Sequence, residues 1–152
     1  MLSLAEVAAH LEIGRLIHLY AERVDLGDFE GVAEMFRHAG MSAAGSDHVD
    51  LGYEAVLRRY HDWTRRLEDN GTPHTKHVTT NVILDVDVEK GTALGRAYFT
   101  VFQQTDVLPL QPIISGRYHD RFVHGDGAWR FEHRHILSDL FGDLSQHLLR
   151  TT

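Results

Sequence analysis

Leu4, Val7, Ala8 and Leu11, then Ile13, Ile17, Tyr20 and Val24, recur at three- and four-residue spacing, the period of a helix with one apolar face. The spacing predicts one long helix that ends near Gly27. Asp28 is placed to cap a shorter second helix carrying Phe29, Val32, Ala33 and Phe36, and residues 38–45 follow as a weak first strand or a turn. Gly52 then opens a third helix, residues 53–68, closed by the breaker cluster Asp69-Asn70-Gly71-Thr72-Pro73. From here the period changes to two. Residues 77–88, 95–105, 113–124 and 128–137 are predicted strands, joined through Glu89-Lys90-Gly91, residues 106–112 and the hairpin turn Gly125-Asp126-Gly127. Helices first and a meander afterwards define an α+β fold. A curved antiparallel sheet wrapped around a long helix leaves an open end, a natural place for a pocket. Nothing in the pattern of the tail, residues 140–149, decides between a lid over that end and an arm to a neighbour.

Length and charge narrow the classes. A chain of 152 residues fits a single domain over 1–152, and at this size roughly 70% of the unfolded surface is buried, enough for a core and a pocket. The net charge of -7 with His neutral argues against a nucleic-acid surface, which needs a basic patch to displace counterions. The absence of cysteine excludes disulfides, zinc-thiolate and iron-sulfur sites and says little about compartment. Met1-Leu2-Ser3-Leu4-Ala5-Glu6-Val7 lacks a cationic n-region and continues as an amphipathic helix, so neither a signal peptide nor a membrane span is expected and a cytoplasmic protein is the default.

Two residues offer chemistry. Asp25 stands where the first helix meets Gly27, and His77 heads a strand-like run. A carboxylate that holds an imidazole fixes the ring's tautomer and stabilises its charged form, which suits it to moving one proton at neutral pH. His77, Thr79, Asn81 and Ile83 share one face of their strand, opposite Val78, Val82 and Leu84. The plainer alternatives are that Asp25 caps its helix or meets solvent, and that His77 is a structural histidine. Tyr20, Tyr53, Tyr60 and Trp63 can supply pocket walls or a hydroxyl donor, or simply core. Asn81 can donate to an oxyanion or satisfy a neighbouring strand. Arg117 can bind an anion in the pocket, or pair at the surface with Asp120 or Glu132. Among the twelve histidines, His133 and His135 share a strand face and His74 lies three before His77, but this spacing supplies no third metal ligand.

Four stretches together resemble a known family: Leu19-Tyr20-Ala21-Glu22-Arg23-Val24-Asp25-Leu26-Gly27-Asp28, Thr75-Lys76-His77-Val78-Thr79-Thr80-Asn81, Gly116-Arg117-Tyr118-His119-Asp120-Arg121-Phe122 and Gly127-Ala128-Trp129-Arg130-Phe131. They are similar to the SnoaL-like branch of the nuclear transport factor 2-like (NTF2-like) superfamily, which includes scytalone dehydratase, lindane dehydrochlorinase, ketosteroid isomerase and polyketide cyclases. The resemblance covers nearly the whole chain. It implies a cone, with a long N-terminal helix and two shorter helices packed on a curved, mainly antiparallel sheet. It also implies Asp25 and His77 as the catalytic pair, working without metal or cofactor. The sequence departs from scytalone dehydratase in carrying Val24, not tyrosine, before the aspartate, and in having no tyrosine in Met41-Ser42-Ala43-Ala44-Gly45. Scytalone is therefore not the expected substrate.

The function expected on these grounds is a cofactor-independent lyase or isomerase, dehydratase-like, acting on a small hydrophobic cyclic or polyketide-like molecule. Asp25 and His77 would be catalytic, with Tyr20, Tyr60, Trp63, Asn81 and Arg117 binding substrate. The alternatives are the non-catalytic accessory subunit of an aromatic-ring dioxygenase and a small-ligand-binding module. The outer face of the meander, with Tyr98 and Phe102, calls for cover by another subunit, so a homodimer or homotrimer is expected.

Overall fold

The computed structural model describes residues 1–150. Three helices, α1 (Leu4–Asp25), α2 (Phe29–Met35) and α3 (Gly52–Trp63), pack on six strands: β1 (Gly40–Ala43), β2 (Val49–Leu51), β3 (Thr75–Asp87), β4 (Thr92–Gln103), β5 (Gln111–Gly125) and β6 (Ala128–Phe141). The sheet order is β2-β1-β6-β5-β4-β3. Only β1 and β6 run parallel; the other neighbours are antiparallel. The α+β architecture of three helices on a curved, open and mainly antiparallel sheet matches the expectation from the chain. None of the described helices is long and apolar enough to cross a membrane.

Local chemistry explains where α1 begins. Ser3 and Glu6 form a reciprocal capping box, the Ser3 hydroxyl accepting from the Glu6 N–H and the Glu6 carboxylate accepting from the Ser3 N–H. Burial starts only at Ala9 and then follows Ile13, Ile17, Tyr20 and Val24. Leu4, Val7 and Leu11, expected in the apolar stripe, remain exposed. The third helix also differs from its expected span: it stops at Trp63 because Thr64 turns extended (φ -104°, ψ 123°) and bridges to Leu148. Strand β2 escapes the periodicity because three residues are too short to show one.

The sheet's curvature has identifiable sources. The pairing register shifts at Thr80/Ile83, Val101/Phe102, Ser115/Gly116 and Arg121/Phe122, and such bulges bend strands and increase their twist. At Gly116 a side chain is excluded outright, since a Cβ there would collide with the Leu137 carbonyl. On β4, Ala93, Gly95, Ala97, Phe99, Val101 and Gln103 alternate inward.

At the centre lies a charge. Arg134 is 0% exposed and makes a two-point ion pair with Asp120 at 2.9 and 2.8 Å. Its guanidinium lies over the rings of Tyr118 (3.7 Å), Tyr20 (4.3 Å) and Phe131 (4.9 Å). Burial opposes its charge, but the Asp120 carboxylate and its hydrogen bonds outweigh that and keep it protonated. A buried ion pair adds little over a well-packed apolar pair, yet breaking it strands one charge. Arg134→Met is therefore expected to lower stability by about 3–5 kcal/mol in urea unfolding, and adding Asp120→Leu to recover most of that loss.

Candidate functional site

The last turn of α1 delivers Asp25, and Gly27, at φ +71°, reverses the chain immediately after it. The start of β3 comes alongside. His77 Nδ1 donates to Asp25 Oδ1 at 2.6 Å, the His77 backbone N–H donates to Oδ2 at 2.8 Å, and the Thr75 hydroxyl donates to Oδ1 at 2.8 Å. The two side chains are 9% (His77) and 11% (Asp25) exposed. Burial pushes the Asp25 carboxyl up, but the hydrogen bond and charge of the His77 ring, its backbone N–H and the Thr75 hydroxyl together hold it below the ordinary carboxylate value. An ionised acceptor on Nδ1 fixes the proton there and leaves Nε2 as the base in the neutral ring.

A carboxylate at a helix C-terminus meets the negative end of the macrodipole. The three donors of β3 offset that repulsion, so the arrangement is stable only while Thr75 and His77 stay in register with Asp25. An open hollow of about 540 Å³ lies beside the two residues, lined by His18, Ala21, Glu22, Asp25, Leu26, Lys76, His77 and Thr79.

The other expected site residues fall in different places. Tyr20 and Tyr60 are buried and joined hydroxyl to hydroxyl at 2.5 Å, with Tyr20 edge-on to Tyr118. Trp63 ends α3 under the Arg150 guanidinium and does not line the hollow beside Asp25 and His77. Asn81 does not share the inward face of His77: the register shift between Thr80 and Ile83 breaks the alternation, and Asn81 sits exposed there at φ +54°. Arg117 points to the outer face, where it pairs with Asp139 at 2.8 and 2.9 Å. Its expected surface partners are already engaged, Asp120 by Arg134 and Glu132 by Arg121. His133 and His135 share the Ser42 hydroxyl at 2.7 and 2.8 Å. Among the described residues no group of three or more His, Cys, Asp or Glu could hold a metal ion.

Four residues near the site went unrecognised in the sequence. Thr75 is the hydroxyl donor to Asp25. Tyr118 is buried, its hydroxyl pushed well up by burial and by Tyr20, with smaller effects from Arg134 and Asp25. Arg134 keeps Nη1 buried without a partner. A signal for the last two existed: Asp120 shares a strand face with Tyr118 and Phe122, and a charge on an aromatic face needs a buried counterion. The fourth is His147, in the turn after β6, which is 9% exposed. Burial, reinforced by the His77 charge, lowers it to about 4.

Residues 5–135 match the model of the SnoaL-like domain family. Solved structures share the fold. A variant of Rv3472 from Mycobacterium tuberculosis, a protein of unknown function, is 28% identical with a TM-score of 0.70, over 88% of this chain and 73% of that one. An NTF2-like protein with a cystatin-like fold from Novosphingobium aromaticivorans is 20% identical with a TM-score of 0.69, over 91% of each chain. LinA is 20% identical with a TM-score of 0.71, over 93% of each chain. No curated protein matches the chain.

The buried His147 sets a pH dependence. Unfolded, its imidazole takes a proton near its ordinary value of 6.5; folded, only near 4. Between those values the unfolded state binds more protons, so stability rises with pH across the window and falls on acidification. The loss from pH 6.5 to 4 is expected to reach at most about 3 kcal/mol in equilibrium unfolding, and His147→Phe to flatten it. The depressed Asp25 adds its own loss only below the ordinary carboxylate range.

Proposed function

Since the chain belongs to the SnoaL-like domain family, we propose that it is a cofactor-independent lyase or isomerase in which His77 and Asp25 transfer a proton of a small, largely apolar cyclic or polyketide-like molecule. The observation that carries this reading is the partly buried His77 Nδ1–Asp25 Oδ1 hydrogen bond of 2.6 Å. His77 Nε2 removes a proton from carbon next to a carbonyl, and Asp25 stabilises the imidazolium that results. Departure of hydroxide from the adjacent carbon, taking up that proton as water, completes a dehydration; return of the proton to another carbon completes an isomerisation. The enolate-like charge between these steps needs a donor. Tyr118 is buried away from the hollow, whose own walls offer Lys76, His18 and Thr79 for it.

A second reading rests on a different observation. The hollow beside His77 is open and carries His18, Glu22 and Lys76 on its walls, while aromatic rings and Arg134 fill the interior. Such a site also suits a module that holds a small molecule without turnover. In either reading we assign the sheet's outer face, where Leu94 and Tyr98 are exposed, to a contact between copies in a homodimer or homotrimer.

Proton exchange separates the two. In D2O the protein is expected to catalyse exchange of the protons next to the carbonyl of a cyclic ketone such as 2-tetralone, followed by 1H NMR. His77→Ala is expected to slow this by about 10²–10⁴-fold, and Asp25→Asn, which removes the negative charge facing Nδ1, to slow it strongly with little change in ketone binding. Equal exchange in wild type and His77→Ala would reject His77 as the base.

A further inference from the structure

On the outer face of the sheet, the pairing register lines up side chains that alternate along neighbouring strands. Arg96 of β4 stands opposite His119 of β5, His119 opposite His135 of β6, and His135 beside Ser42 of β1. In the next row Arg121 stands opposite His133, and His133 beside Gly40, where a Cβ would come within 2.9 Å of His133 Nδ1. Two guanidiniums and three imidazoles thus share the walls of one hollow of about 570 Å³. The proton transfer proposed at His77 uses none of them.

Like charges at directly opposite strand positions repel, so this grouping needs counterions, and those within the chain hold it loosely. Arg96 reaches Asp85 and Arg121 reaches Glu132 through one contact each, both of 3.3 Å, and all four side chains are at least half exposed. Asp120, which also borders the hollow, is already neutralised by Arg134. One row along, Arg117 is engaged differently, holding Asp139 through two bonds of 2.8 and 2.9 Å. A guanidinium carries five N–H donors, so Arg96 and Arg121 keep most of theirs for a ligand.

The imidazoles add donors. The Ser42 hydroxyl is buried and lies 2.7 Å from His133 Nε2 and 2.8 Å from His135 Nδ1. Having one proton, it donates to one ring and accepts from the other. When His133 donates to Ser42 and Ser42 donates to His135 Nδ1, the Nε2–H of His135 is left as a donor at the wall of the hollow. Burial, then the charges of Arg121 and His135, hold the His133 imidazole below its ordinary value, against the smaller opposing pull of Asp120 and Glu132. An anion in the hollow would offset both repulsions.

We propose that this hollow is a second binding site, which takes the phosphoryl group of a small phosphomonoester between Arg96 and Arg121, with His119 and His135 donating beside them. The planar fork of arginine matches phosphate oxygens. The volume lies in the range of sites for organic ligands, and the exposed Leu94 on the wall offers an apolar contact to the organic part of an ester. A nucleic-acid backbone is disfavoured by the net charge of -7 with His neutral. Leu94 and Tyr98, assigned above to a contact between copies, flank Arg96 on β4, so the site opens at that seam while all its residues come from one copy.

The histidine ring signals of the whole protein are followed by 1H NMR during titration with phenyl phosphate, inorganic phosphate and phenol, at about pH 6 and about 0.15 M chloride. Phenyl phosphate is expected to shift the His119, His133 and His135 signals saturably, inorganic phosphate to do so more weakly, and phenol to leave them in place. Arg96→Gln and Arg121→Gln, each at an exposed ion pair of little structural worth, are expected to weaken phenyl phosphate binding about tenfold. Arg117→Gln is expected to leave it unchanged. Ring signals that neither phosphate moves would overturn the site, and a contact between copies that seals the hollow gives that result. Equal affinity in wild type, Arg96→Gln and Arg121→Gln would overturn it as well. Inorganic phosphate binding as tightly as phenyl phosphate would overturn the ester as its ligand.

Discussion

The carboxylate of Asp25 is the point on which the site turns. It sits at the negative end of a 22-residue helix, where an unpaired charge is disfavoured, and only the three donors of Thr75 and His77 make it tolerable. One carboxylate therefore does two things at once. It stitches the end of α1 to the edge strand β3, and it orients the imidazole. The backbone N–H of His77 adds to what its ring does, because its donation to Oδ2 fixes where the ring stands.

That stitch works because the rest of the molecule holds α1 still. Ile13, Ile17, Tyr20 and Val24 lock it against the sheet, and Tyr20 lies over the Arg134 guanidinium while its hydroxyl meets Tyr60 of α3. The buried cation thereby gathers α1, β5 and β6 around one group. The rigidity of α1 beside the site thus rests in part on Arg134.

Much of this was legible in the sequence, and the reasons for the rest are specific. The helical stripe from Ile13 to Val24 and the two-residue alternation of β4 carry their own periods, so the helices and the meander follow from pattern alone. Asp25 and His77 were visible as residue types at the right boundaries. Their meeting was not, because it depends on β3 lying beside α1, a contact between residues about fifty positions apart. Asn81 misled because period-two reasoning assumes an unbroken ladder, and the irregularity after Thr80 is set by pairing with β4. Arg117 misled because neither face of a strand is labelled inward by the sequence. Arg134 was hidden by the assumption that arginine is exposed, and His147 by the lack of any period in its turn.

Two carboxylates, Asp120 in the core and the partly buried Asp25, contrast a fixed charge pair with a titratable one. Asp120 is neutralised by a guanidinium, which stays protonated across the whole range in which proteins work. No proton can pass in that pair, so its charge is a fixed part of the scaffold. Asp25 is paired with an imidazole, the side chain whose ordinary pKa lies nearest neutrality. Its partner can gain and lose a proton while the carboxylate stays ionised, so the net charge beside the hollow can change without unpairing anything. Exchanging the partners would abolish this: an arginine facing Asp25 would be inert, and a histidine facing Asp120 would make the core itself titrate. Under the proposed function, with the permanent cation deep and the imidazole beside open space, a proton could move at Asp25 without touching the charge pair that holds the core.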